Sequence, residues 1–83
     1  PGLAPVHLTA RERQCLRYCA DGYTAKEISR FIGRSLPTVV LHLSTATKKL
    51  GARNRTQAAA IAVRGGLLDG FAATHAGIVT AKN

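Results

Sequence analysis

The stretch TAKEISRFIGRSLPTVVLHLSTATKKLG, Thr24 to Gly51, carries two helical patterns separated only by Gly33, Arg34 and Ser35. Thr24-Ala25-Lys26-Glu27 has the spacing of a capping box, in which the Thr hydroxyl accepts an orphan backbone N–H and the Glu side chain reaches back to the cap. Ile28, Phe31 and Ile32 then give the apolar side of a short helix over 25–32, which Gly33 ends. Ser35 caps a longer helix over 36–50, with Pro37 in the first turn, where a missing N–H costs little. At about 100° per residue, Leu36, Val39, Leu43, Ala46 and Leu50 form one buried stripe with His42 on its shoulder. Pro37, Val40, Leu41, Ser44 and Lys48 fall on the opposite face, which therefore offers two apolar side chains to solvent.

The same punctuation extends outward on both sides. Thr9-Ala10-Arg11-Glu12 is a second capping box, preceded by Leu8 as a hydrophobic staple, and opens a helix over 10–20. Glu12, Cys15, Leu16 and Cys19 share one face of it, and Asp21-Gly22 supplies a left-handed stop. Asn54, with Gln57 in capping-box register, starts a fourth helix over 55–65 that Gly65-Gly66 ends. Its inner face reads as Ala58, Ile61 and Ala62. Its other side, Ala59, Ala60, Val63 and Leu67, is also small and apolar, more greasy surface than a monomer requires, and a second subunit could cover it. The chain thus divides into a linker at 1–7, an all-α four-helix bundle at 8–68 and a tail at 69–83.

Eighty-three residues make one small domain, which hides only about 60% of its unfolded surface. The chain has no Met and opens Pro1-Gly2, and it reads as a piece of a longer protein. Twelve Lys and Arg against four Asp and Glu give a net charge of +8, which points to a polyanionic partner. The longest uninterrupted apolar run, Ala58 to Val63, is six residues, far short of the 18 or so of a membrane span. Cys15 and Cys19 stand four apart with no second pair to complete a zinc site, and are read as small buried apolar residues in a reducing cytoplasm. No metal or other cofactor is implied. Nor is catalysis: two of the four acids sit in capping boxes, His7, His42 and His75 are scattered, and there is neither a glycine-rich phosphate loop nor a Ser/His/Asp cluster.

Two helices joined by a three-residue turn containing Gly form the helix-turn-helix unit, whose second helix enters a DNA major groove. From Leu8 to Leu68 the chain also resembles the LuxR/GerE-type DNA-binding domain of quorum-sensing activators and response regulators. The resemblance is carried by LTARERQCL, ADGYTAKEIS, SLPTVVLHL and KKLGARNRTQAAAIAVRGGLL. Glu12, Leu16, Gly22, Glu27, Ile28, Thr38, Val39, His42, Lys49-Leu50-Gly51 and Arg55 match positions that this family keeps nearly fixed, and NRTQAAA with the terminal Gly-Leu-Leu is more like the autoinducer-binding branch. Arg34 stands where the family usually has an apolar residue, Ala46 and Ala52 are smaller than its usual Ile and Val, and Phe31 is expected to refill part of that volume. The family often has Lys or Arg at the position of Val40.

The resemblance implies double-stranded DNA as partner, a homodimer paired through the fourth helix on an inverted repeat, contact with RNA polymerase, and a signal, such as an acyl-homoserine lactone, bound by a separate N-terminal domain. Val40, Leu41 and Ser44 are the expected base readers. They cannot make a bidentate arginine–guanine contact, but methyls suit the thymine C5-methyl and a hydroxyl serves as donor or acceptor. Phosphate contacts are expected from Thr24 and Lys26, from Arg34, Thr38 and His42, and from Lys48, Lys49 and Arg53. The dimer face is expected at Ala59, Ala60, Val63 and Leu67. Glu12 and Arg55 are expected to pair, joining the first and fourth helices. The rival reading is a protein-interaction module that keeps the helix-turn-helix shape and docks a partner on Val40, Leu41 and the fourth helix.

Overall fold

The computed structural model describes residues 6–68, which form four helices: α1 (Ala10–Ala20), α2 (Ala25–Ile32), α3 (Leu36–Lys49) and α4 (Arg55–Arg64). No strand occurs among the described residues. Most of the expected linker 1–7 and all of the expected tail 69–83 lie outside them.

Each helix begins where a side chain satisfies its orphan N–H groups. Thr9 Oγ1 accepts from Glu12 N at 3.1 Å while Glu12 Oε1 accepts from Thr9 N at 2.9 Å. Thr24 and Glu27 repeat the box at 3.2 and 2.8 Å. Ser35 caps α3, and Asn54 caps α4 by accepting from Gln57 N at 2.8 Å. The fourth cap differs from the expected box, because Gln57 Oε1 accepts instead from the N–H of Arg53, one residue earlier, at 2.6 Å.

Between α2 and α3, Gly33 adopts φ 68° and ψ 34°, and the N–H of Arg34 closes onto the Ser29 carbonyl at 3.0 Å. Only a residue without Cβ enters that left-handed region freely. The chain reverses there and re-enters helix within two residues.

The core lies where α1 packs against α3 and α4, and where α2 packs against α3. Its fully buried side chains are Leu16, Ile28, Leu43, Val39 and Cys15, with Leu8 and Leu68 buried at the ends of the bundle. Full burial of a Leu, Ile or Val contributes about 1.5–3 kcal/mol. Ala46, Ala58 and Ala62 are fully covered as well, so α4 meets the core through short side chains.

Four expectations are corrected. Leu36 does not join the buried stripe but is 42% exposed, because it is the first residue of α3 and its side chain tilts back past the turn, away from the packed part of the helix. Leu50 is only half-buried. Phe31 is 42% exposed, its ring set against Tyr18 at 5.2 Å and Tyr23 at 4.9 Å between centroids. On α4, Ala59 is buried along with Ala58 and Ala62 while Ile61 is half-buried, so the inner face is turned from the expected one.

A Cβ placed on Gly33 would meet open space, so a substitution there acts through backbone strain alone. Gly33→Ala should cost about 1–2 kcal/mol, lowering the thermal midpoint followed by circular dichroism by roughly 5–10 °C. Gly33→Asn should lose less, since Asn visits the left-handed region more readily.

Candidate nucleic-acid interface

The solvent side of α3 carries Pro37, Val40, Leu41, Ser44 and Lys48, all exposed. Leu41 is 62% exposed and Val40 43%, adjacent large apolar side chains with no covering element among the described residues. On the inner side Val39, Leu43 and Ala46 are buried, so the helix cannot rotate to hide the outer pair without exposing the core.

Most of the residues expected to hold phosphates are exposed. Thr24 is exposed at the start of α2, its hydroxyl engaged in the capping box, and Lys26 is exposed two residues on. Arg34 is exposed in the turn. Thr38 is half-buried with its hydroxyl 2.9 Å from that of Ser35, and His42 is half-buried on the shoulder of α3. Lys48 and Arg53 are exposed at the far end. There Val40, Ser44, Lys48 and Arg53 come together with Thr47 and Arg55 along one open cleft of about 400 Å³. Lys26, Arg30, Arg34, Lys48 and Arg53 pair with no acid among the described residues.

Lys49 has a different situation. Its Nζ donates to Glu12 Oε1 at 2.7 Å and to the His7 carbonyl at 3.0 Å, joining the end of α3 to the start of α1 and the segment before it. Burial alone would raise the Glu12 carboxyl, but hydrogen bonds from Lys49 and the Thr9 backbone, with the lysine charge, hold it below its ordinary value. Glu12 therefore pairs with Lys49 and not, as expected, with Arg55. Arg55 opens α4 beside the other end of α1, where its carbonyl accepts from Cys19 Sγ at 3.9 Å. Seven residues separate Glu12 from Cys19, about 10 Å along the helix.

Both cysteines are free. Burial pushes the Cys15 thiol up to about 11, and burial also raises Cys19, so both are neutral thiols near pH 7. Among the described residues no three His, Cys, Asp or Glu side chains converge as metal ligands would. No helix there is long and apolar enough to cross a membrane.

Of the expected dimer residues, Ala60 and Val63 are exposed, Val63 by 47%, Leu67 packs half-buried on the core, and Ala59 is only 4% exposed. Ala59, Ala60 and Val63 line a second cleft, of about 410 Å³, between α4 and the Cys19-Ala20 end of α1.

Comparison with known proteins now adds to this geometry. The sequence pattern described as bacterial regulatory proteins, luxR family, matches residues 6–62. The transcriptional activator protein VanR of Vibrio anguillarum is 50% identical over 64 residues, covering 77% of this chain and 27% of its own. The transcriptional activator protein LuxR of Aliivibrio fischeri is 39% identical over 62 residues, 75% of this chain and 25% of its own. The quorum sensing-dependent transcriptional regulator VjbR of Brucella abortus is 44% identical over 62 residues, 75% of this chain and 24% of its own. The chain thus spans about a quarter of the length of these relatives. Among solved structures, the phage VqmA–DPO complex superposes with a TM-score of 0.72 at 30% identity, over 80% of this chain and 30% of that one.

The Glu12 contact makes a prediction about acid stability. A carboxyl whose folded pKa is lowered stabilises the fold above its unfolded pKa, near 4.5, and that contribution is lost as pH falls through the folded value. Glu12→Gln should cost roughly 0.5–1 kcal/mol at pH 7, kept small by the exposure of Lys49. In urea melts the gap between variant and wild type should close as pH is taken below that range; a gap independent of pH would refute the ionic contribution.

Proposed function

The chain belongs to the luxR family of bacterial regulatory proteins, and from that premise we propose that it is the sequence-specific DNA-binding part of a transcription regulator in quorum-sensing control, with α3 lying in the major groove. The observation that carries this reading is the exposed face of Val40, Leu41 and Ser44, with exposed cations that no acid of the described residues pairs. The methyls of Val40 and Leu41 meet thymine methyls, and the Ser44 hydroxyl meets a base-edge donor or acceptor. Sequence is then read by shape and methyl contact more than by charge.

Lys26, Arg34, Lys48 and Arg53 hold phosphates, with Thr24, Thr38 and His42 adding uncharged contacts. Lys49 is the exception in the expected set, since its ammonium is already committed to Glu12 and the His7 carbonyl. Two copies pair through Ala60 and Val63 of α4, and the two reader helices meet half-sites of an inverted repeat about one DNA turn apart. Ala59, buried within its own chain, supports that face from beneath. The names of VanR and LuxR as transcriptional activators extend the proposal to contact with RNA polymerase.

The rival reading, a protein-docking module, rests on the same Val40 and Leu41. Selection of duplexes from a random pool, followed by fluorescence anisotropy against salt, separates the two. An inverted repeat should emerge, bound at least about tenfold tighter than random duplex, with log affinity falling against log salt at a slope near −4 to −5 per chain if about five phosphates are neutralised. Val40→Arg should raise overall affinity and change the selected sequence. A shallow slope with no convergent sequence would favour the docking module, and unchanged selection by Val40→Arg would remove the reader assignment.

A further inference from the structure

Arg55 is left without the acid that the sequence suggested for it, because Glu12 is held by Lys49. It is exposed as the first residue of α4 and, like Lys48 and Arg53, makes no ion pair among the described residues. These three cations line the same cleft as Val40 and Ser44, and no acid of the described residues is among its walls. Three like charges around an open concavity repel one another unless an anion enters.

The neighbours define which anion. Val40 and Ser44 belong to the face proposed to meet base edges, so the cleft continues that face toward the rim of the groove, where the duplex carries its phosphodiesters. A guanidinium presents a planar fork that takes two phosphate oxygens at once, whereas Lys48 supplies only a point charge. We propose that Arg55 is a DNA-phosphate ligand, acting with Lys48 and Arg53 to seat one phosphodiester in this cleft and so fix the register of Val40 and Ser44 on the bases. The assignment rests on the DNA-binding reading and adds to it a ligand from α4, outside the helix-turn-helix itself.

The test uses the 83-residue chain as wild type, Arg55→Gln and Arg55→Lys, on a mixed-sequence duplex of about two turns, by anisotropy over a range of NaCl concentrations. Arg55→Gln should weaken binding roughly 3–10-fold near 0.1 M salt and reduce the magnitude of the salt slope by about one. Arg55→Lys should restore the slope and only part of the affinity. Thermal midpoints, measured alongside, should be the same for all three. A wild-type slope that Arg55→Gln leaves intact would overturn the assignment and leave DNA binding standing, as would a lowered midpoint with an unchanged slope. No salt-dependent binding by the wild type would overturn both.

Discussion

The arrangement depends on the left-handed residue at Gly33. A helix cannot reverse direction within two residues unless one of them leaves the right-handed region, and a glycine enters the left-handed region without strain. Because Ser35 restarts helix at once, α2 and α3 are held close together, and the contacts between them follow from that proximity. Burial of Ile28, Val39 and Leu43 then fixes the rotation of α3 about its own axis. Once the inner stripe is set, Val40, Leu41 and Ser44 have no other direction to point.

Charge is distributed with the same economy. Glu12 caps α1 and holds Lys49, Glu27 caps α2, and Asp21 faces Arg17 at 3.6 Å. All three acids of the described residues are thereby engaged within the domain, and none of them pairs with Lys26, Arg34, Lys48 or Arg53. The negative side chains stabilise structure, and the surplus of positive ones is left available for a partner. A surface with acids interspersed would bring solubility just as well, but it would give a polyanion little reason to prefer this side of the molecule.

How much of this is legible in the sequence depends on the range of the interaction concerned. Caps, stops and helix bounds are set within three or four residues, and the four helices lie within a residue of their expected ends. The inner stripe of α3 is legible because Val39, Leu43 and Ala46 recur at helical spacing. The phase of α4 is not, since a helix whose apolar residues are mostly alanines offers almost no contrast between its faces, and tertiary packing alone decides that Ala59 turns inward. Phe31 and Leu36 stay exposed against expectation because apolar character leads to burial only where a neighbour exists to cover it. The Lys49–Glu12 contact spans 37 positions, and neither residue type nor spacing distinguishes Lys49 from Arg55 as the partner.

That exchange of partners also bears on the candidate site. A lysine at the end of the reader helix looks, by position alone, like a phosphate ligand, and an arginine opening the next helix looks like a structural cation. The structure reverses their circumstances: Lys49 is tied to a carboxylate and a carbonyl, while Arg55 pairs with no acid among the described residues and lines a cleft with Val40 and Ser44. On the DNA-binding proposal, in which the reading side chains are apolar or uncharged, the reversal matters. Methyl contacts discriminate between bases only when the helix is held in register, and Val40 and Leu41 contribute little of the attraction that would hold it there. Under that proposal registration comes from charge-assisted contacts at the flanks, and the planar guanidinium of Arg55, the proposed ligand, is better suited than an ammonium to fix direction as well as distance.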